Sequence, residues 1–284
     1  MTKVLSFLLL ISVWLGSYAQ SIPPTPQVLS HPQVVDTAQY KVTYSLKYRH
    51  HPGNKDYFDD TRIILIGRSH LQDYSDIIQY FDSLRTEAEN TGASTYSNVN
   101  GNPWPVEILT ESPQHKATLK YRLPLETGIL KYQEEVPGLS WEFQDSDPLT
   151  IIGYECSKAT TEFAGRKYTA WFATEIPLPF GPYKFGGLPG LILRIEDSEK
   201  QFVWQAEGLE KSSAPVNDYS YDIEKSVSTQ DADKAIRRSI EDPLAFLQSF
   251  LGSGKIMVKG KDGRFKRQES TSSEVNPYKP LELK

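Results

Sequence analysis

The sequence predicts a mainly β fold with minor α, a curved antiparallel sheet or half-barrel packed on one or two helical segments. Two observations predict it. Apolar residues alternate in short runs divided by turn residues at hairpin spacing, and no strand–helix–strand rhythm appears, which argues against a doubly wound parallel sheet. Aromatic residues are also abundant, with 16 Tyr, 12 Phe and 5 Trp, and these pack across strands in an antiparallel sheet.

The elements follow in order. Residues 1–19 read as a cleaved signal peptide: Lys3 supplies the positive start, Val4 to Leu15 the apolar centre, and Ser17-Tyr18-Ala19 a small-x-small site before Gln20. The apolar run is roughly 12 residues, short of the ~20 that span a bilayer as a helix. No Cys follows the site, so no lipid anchor is expected there. A Pro-rich lead, Ser21-Ile22-Pro23-Pro24-Thr25-Pro26, places a linker over 20–36 and a single β domain over 37–284, ending in a polar tail.

Within that domain Tyr40, Val42, Tyr44, Leu46 and Tyr48 alternate with Lys41, Thr43, Ser45 and Lys47, the pattern of a half-buried strand. Pro52-Gly53-Asn54 turns the chain into a more apolar strand over 62–66. Ser75 can cap a helix over 75–88, with Ile77, Ile78, Phe81 and Leu84 on one face. After a polar loop over 90–105, strands resume at Val106 to Thr110, at Ala117–Leu123, at Leu130 with Tyr132, and at Leu139, Trp141 and Phe143. Asp145-Ser146-Asp147-Pro148 has the composition of a turn. Ile152, Tyr154 and Cys156 share a strand face, Ala164-Gly165-Arg166 turns, and Tyr168 to Ile176 returns. Leu191, Leu193 and Ile195 then alternate, followed by a turn at 197–200 and by Phe202, Trp204 and Ala206. A helical pair is expected over 228–251, with a Ser228/Asp231 cap, then Asp242 capping a helix that starts at Pro243 and ends at Gly252. In all, nine to twelve strands are expected.

Composition bounds the function. Cleavage after Ala19 would leave 30 basic and 36 acidic residues, a formal charge of −6, which argues against nucleic acid as a partner. Cys156 is the only cysteine, so no internal disulfide forms and stability rests on the core. Cys156 shares its face with apolar residues and reads as a buried hydrophobe rather than a nucleophile. The five histidines, His31, His50, His51, His70 and His115, lack metal-ligand spacing, and neighbours such as His50-His51 point to opposite faces of a strand. Glu155, Glu162 and Glu175 read as solvent-face residues, or as partners of Lys158 and Arg166. The basic stretch from Lys255 to Arg267 reads as a solvated surface.

The run Gly181-Pro182-Tyr183-Lys184-Phe185-Gly186-Gly187-Leu188-Pro189-Gly190-Leu191-Ile192 is not a phosphate cradle. Gly190 is followed by Leu191-Ile192-Leu193, where a P-loop needs Lys and a hydroxyl residue. It reads as two glycine–proline reversals that launch the strand at Leu191, with Pro182 and Pro189 fixing φ.

This run, preceded by Gly153-Tyr154-Glu155-Cys156-Ser157-Lys158-Ala159 and Arg166-Lys167-Tyr168-Thr169-Ala170-Trp171-Phe172, resembles the signature of the bacterial GLPGLI family. Asn276-Pro277 with Leu281-Glu282-Leu283 resembles the family's usual end. The dense match covers about 150–210. The motif residues are Cys156, Lys158, Arg166, Trp171, Gly181, Pro182, Gly187, Leu188, Pro189, Gly190, Leu191 and Ile192, and the resemblance implies no catalytic or binding role for any of them. It implies an exported protein of the Gram-negative envelope, periplasmic, secreted or associated with the outer membrane. The expected sheet is also similar to the half-barrel carriers that shuttle lipoproteins across the periplasm.

The function expected is therefore non-enzymatic: binding or carrying a lipid, an acylated protein or a peptide, with no cofactor, no metal and no transmembrane segment after signal cleavage. The alternatives are an accessory subunit of an outer-membrane transporter, and a hydrolase.

Overall fold

The computed structural model describes residues 10–11, 22–93, 95–112, 115–136, 138–251, 257–259, 265–267 and 276–283. Apart from β1 (Leu10–Ile11) and β2 (Ser30–Thr37), the first half of the chain builds one meander. It runs through β3 (Tyr40–Tyr48), β4 (Phe58–Ile66), β5 (His70–Ser75), helix α1 (Asp76–Thr91), β6 (Val106–Glu111), β7 (Lys116–Arg122) and β8 (Ile129–Glu135). The chain then leaves that edge and starts a second meander, β9 (Glu142–Ile151), β10 (Tyr154–Phe163), β11 (Arg166–Ala173), β12 (Leu191–Asp197) and β13 (Phe202–Lys211). β13 returns to pair with β3 from Phe202↔Tyr48 to Lys211↔Tyr40.

The two meanders thus join into one twelve-stranded sheet, β15-β8-β7-β6-β5-β4-β3-β13-β12-β11-β10-β9, where β15 is Glu224–Ser226. Every pairing in it is antiparallel except that of β15 with β8. The sheet does not close on itself: β15 and β9 are its edges. β14 (Pro215–Ser220) pairs with β2 apart from it, and β1 joins β16 (Met257–Lys259) and β17 (Phe265–Arg267) in a third small sheet. Two helices, α2 (Thr229–Glu241) and α3 (Pro243–Leu251), complete the fold.

One face of the sheet, here the inner face, carries the main core. The alternation in β3 buries Val42, Tyr44, Leu46 and Tyr48 there and leaves Lys47 exposed. Trp204 and Leu46 lie opposite one another, as do Ile195 with Trp204 and Ala170 with Ile195, so a continuous apolar row crosses four strands. β4 departs from alternation over Arg62–Ile66 because both of its faces are covered. Ile64 and Ile66 join the inner core, while Ile63 and Leu65 pack with Ala38 and Val216 beneath the β2–β14 pair.

α1 starts where its cap predicts: the Ser75 hydroxyl accepts the Ile78 amide at 3.2 Å, and the helix ends at Gly92 with φ 68°. Ser228 likewise accepts the Asp231 amide at 3.1 Å, and Asp242 accepts the Ala245 amide at 3.0 Å ahead of Pro243.

Four expectations need correction. The Pro-rich lead is not a free linker: Pro24, Pro26 and Gln27 are buried, the Gln27 amide donates to Asp82 of α1 at 2.7 Å, and a strand begins at Ser30. The Gln27 and Leu29 amides, donating to Asp82 and Thr86, pin the segment to α1. Asp145–Pro148 is not a turn but the irregular middle of β9, where pairing jumps from Cys156↔Leu149 to Lys158↔Gln144. An edge strand tolerates that bulge and its proline. Among the described residues seventeen strands form, against nine to twelve expected: β1, β2, β5, β14, β15, β16 and β17 have no expected counterpart, and of these β5, β14 and β15 are short and polar. Finally, β11 stops at Ala173 and the expected continuation to Ile176 is a turn, in which the Ile176 amide donates to Ala173 at 3.2 Å.

Candidate binding site

Three covers lie over the inner face: α2, the Gly-rich loop between β11 and β12, and the segment 276–283. Between them and the sheet is a cavity of about 240 Å³. Its wall is aromatic, with Tyr48, Trp104, Tyr121, Tyr132, Tyr183, Phe202 and Tyr278, and α2 adds Ile236 and Ile240. These side chains come from eight places in the chain. They converge because Tyr48↔Phe202 and Leu119↔Tyr132 are cross-strand pairs on the inner face. Burial raises the phenol pKa of Tyr48, Tyr121, Tyr132, Tyr183 and Tyr278, so these phenols stay uncharged at neutral pH.

The polar lining consists of His50, Glu134 and Glu282 with Asp233 and Arg237 of α2. His50 lies against Tyr48, Phe58 and Tyr278, and burial lowers its pKa to about 4, leaving a neutral imidazole. Its Nε2 is shielded from solvent and has no hydrogen-bond partner among the described residues. Glu134 of β8 and Glu282 both pair with the ammonium of Lys184, and the Tyr183 hydroxyl donates to Glu282. The Lys184 ammonium also lies 4.8 Å from the Tyr183 ring centroid. Beneath the cavity, fully buried Arg62 bridges Asp60 and Asp73, and Asp73 accepts the Tyr183 amide at 2.8 Å. That contact ties the Gly-rich loop to the floor of the sheet.

The segment 276–283 crosses the rim as a strap without regular secondary structure, bent at 281–282. Arg166 donates to the Pro280 carbonyl at 2.5 Å, Gln201 donates to the Lys279 carbonyl at 2.6 Å, and the Leu283 amide donates to Ala164 at 2.8 Å. Leu281 is buried and Glu282 reaches Lys184. Arg166 itself is held by Asp197 at 3.1 Å and by Gln201 at 2.8 Å.

The motif residues therefore fall into four groups. Arg166 belongs to the strap contact. Cys156 is 1% exposed on the inner face, donates weakly to the Tyr154 carbonyl at 3.6 Å, and has its thiol pushed up to about 11 by burial. Lys158 and Trp171 are on the opposite face. There Lys158, Trp171 and Arg194 sit in register on three adjacent strands, with the Arg194 guanidinium 5.2 Å from the indole. The fourth group, Gly181, Pro182, Gly187, Leu188, Pro189, Gly190, Leu191 and Ile192, forms the loop. Gly187 has φ 85°, and a side chain on Gly190 would overlap the Ala173 carbonyl. Leu188, Leu191 and Ile192 are buried, and the Tyr44 hydroxyl donates to the Ile192 carbonyl at 2.6 Å.

Other candidates do not converge. Glu155, Glu162 and Glu175 are exposed, and Glu162 pairs with Lys167 at 3.6 Å rather than with Arg166. His51 accepts the Gly53 amide within a turn and His70 lies beside Ser69. Among the described residues no three His, Cys, Asp or Glu form a metal-ligand group. The basic stretch 255–267 lies mostly outside the described residues.

Residues 162–194, from the end of β10 through the Gly-rich loop into β12, match a family model described as "Protein of unknown function (Porph_ging)". The chain is similar to that family over this short stretch. No curated protein matches the chain. Among solved structures, "Structure of PNGF-II in P21 space group" is similar at 15% identity and a TM-score of 0.45, over 69% of this chain and 32% of the other. "Structure of PNGF-II in C2 space group" follows at 14% identity and a TM-score of 0.42, over 78% and 34%. The chain spans about a third of the length of those solved proteins.

The aromatic and polar residues of the cavity carry no motif of their own. The alternation at Tyr48, Tyr121 and Tyr132 marks them as inward-facing, but nothing local says that they face a void. For the strap, the signal was Asn276-Pro277 with Leu281-Glu282-Leu283, the stretch that resembles the family's usual end.

Proposed function

We propose that this is an exported GLPGLI-type protein of the cell envelope that binds a ligand without transforming it, and that the inner-face cavity is its binding site. The observation that carries the reading is the cavity wall: seven neutral aromatic rings around a void of about 240 Å³, with a single unpartnered imidazole nitrogen. Ligand sites are concave, largely apolar and supplied with a few placed polar groups. The volume lies below the usual ~300 Å³ lower bound for a whole small-molecule ligand. It therefore suits one apolar group of something larger, such as the end of an acyl chain or a peptide side chain. No helix among the described residues is long and apolar enough to cross a membrane, which fits a protein released by signal cleavage.

Native mass spectrometry of the protein purified from its own host tests this. A bound lipid, acyl or peptide mass that is lost in a Tyr121→Trp variant, which fills the void, supports the reading. A clean apo mass in both proteins refutes it. N-terminal sequencing of the same sample should begin at Gln20.

A further inference from the structure

We propose that the strip of inner face now covered by 278–283 is a recognition site for an extended segment of a partner protein in which a leucine is followed by a carboxylate residue, and that the strap is its internal competitor. This rests on the reading of the cavity as a binding site and names what binds there.

Three observations carry it. First, the strap is held mostly through its backbone. Arg166 and Gln201 take the carbonyls of Pro280 and Lys279, and the amides of Lys279 and Leu283 donate to His50 and Ala164 at 2.7 and 2.8 Å. Such contacts serve any extended chain, as in peptide recognition by strand addition. Side chains are read at Leu281 in the apolar floor, at Glu282 on Lys184, at Tyr278 against His50 and Arg237, and at Lys279 on exposed Glu199.

Second, the receptor's two buried cations keep partners without the strap, although the strap supplies Tyr278 to the cavity wall. Lys184 would keep Glu134, and Arg166 would keep Asp197 and Gln201, so removing the strap leaves neither buried cation alone. An unpaired buried charge is costly, so release of the strap carries no such penalty at either cation.

Third, the strap does not fill the site. The void of about 240 Å³ lies beside it, and the His50 Nε2 faces no partner. A partner segment has room and a hydrogen-bonding group that the strap leaves unused.

The probe is a fluorescein-labelled peptide of the strap sequence, Asn-Pro-Tyr-Lys-Pro-Leu-Glu-Leu, with binding read by anisotropy against the full chain. A tethered segment competes at an effective concentration on the order of millimolar. The Leu281→Ala/Glu282→Gln variant, whose strap is weakened, should therefore bind the peptide at least about tenfold more tightly than the wild type. A peptide with Ala and Gln at the same two positions should lose at least about tenfold on that variant. A folded variant that does not bind the peptide overturns the proposal. So does a variant that forms a dimer by exchanging straps, since the occupant is then a second copy. If the double variant does not fold, hydrogen exchange on the wild type decides. The Lys279 and Leu283 amides should exchange at least about tenfold faster than those of the β3–β13 ladder, and equal protection makes the strap part of the global fold. Absent peptide binding alongside a copurified lipid or acyl mass would remove this proposal while leaving the cavity as a binding site.

Discussion

At the scale of single residues, two features have measurable consequences. Gly190 is buried and its Cα faces the backbone of Ala173 and Thr174. A Gly190→Ala change must push the loop off β11, at a cost of roughly 1–3 kcal/mol, the usual range for overpacking. The melting temperature should fall accordingly, and an unchanged value would show that the loop absorbs the methyl. The second feature is a pair of groups that titrate with opposite sign. His50 is held down to about 4, so protonation favours the unfolded chain, and its contribution, full above pH 6.5, is lost as pH falls towards 4. Asp60 is pushed up to about 6 by burial, so its ionisation favours the unfolded chain, and stability is regained as pH falls from 6 towards 4. Each is worth roughly 3 kcal/mol by linkage, and across pH 4–6 they largely cancel. A His50→Gln variant should therefore become more stable between pH 6 and pH 4 relative to wild type, as read from melting temperatures. The same slope in both proteins would contradict this.

At the scale of elements, the strap and the Gly-rich loop depend on one another. Arg166, at the start of β11, bonds the strap carbonyls and also neutralises buried Asp197. Replacing it with Met removes one member of a buried pair, which typically costs about 3–5 kcal/mol, and frees the strap at the same time. Limited proteolysis of Arg166→Met should cut within 276–283 well before the sheet is attacked. Simultaneous loss of strap and sheet would show that the two unfold together. Lys184 plays the corresponding part from the loop, since its ammonium joins Glu134 of β8 to Glu282 of the strap. The Pro-Tyr-Lys stretch thus has a use that a turn reading does not account for. It aims a cation inward and fixes it through the Tyr183 amide on Asp73.

At the scale of the whole molecule, the long β3–β13 ladder makes one core out of two meanders. The main cluster runs without a break from Tyr132 in β8 to Ala159 in β10 and includes Trp104, Trp204 and Cys156. Tryptophan fluorescence and Cys156 alkylation should accordingly report one thermal transition, the thiol becoming reactive only as the tryptophans are exposed. Alkylation well below the fluorescence midpoint would mean that the β9–β13 half opens separately.

The sequence by itself determined the local features: alternation set the inner face of β3 and β10–β13, Ser75, Ser228 and Asp242 capped the helices, and the Gly-Pro run ended in a strand at Leu191. These depend on periodicity and on residues a few positions apart. Short polar strands such as His70–Ser75 and Pro215–Ser220 were not legible, because they are strands only by virtue of the neighbours they pair with. Nor was the site. Tertiary structure alone decided that the second meander returns to β3, that Tyr48, Tyr121, Tyr132 and Tyr278 surround a void, and that Arg166 and Lys184 receive residues about 100 positions further along the chain. The physical reason is that a cavity and an ion pair are relations between distant segments, whereas burial pattern, caps and turns are written within each segment.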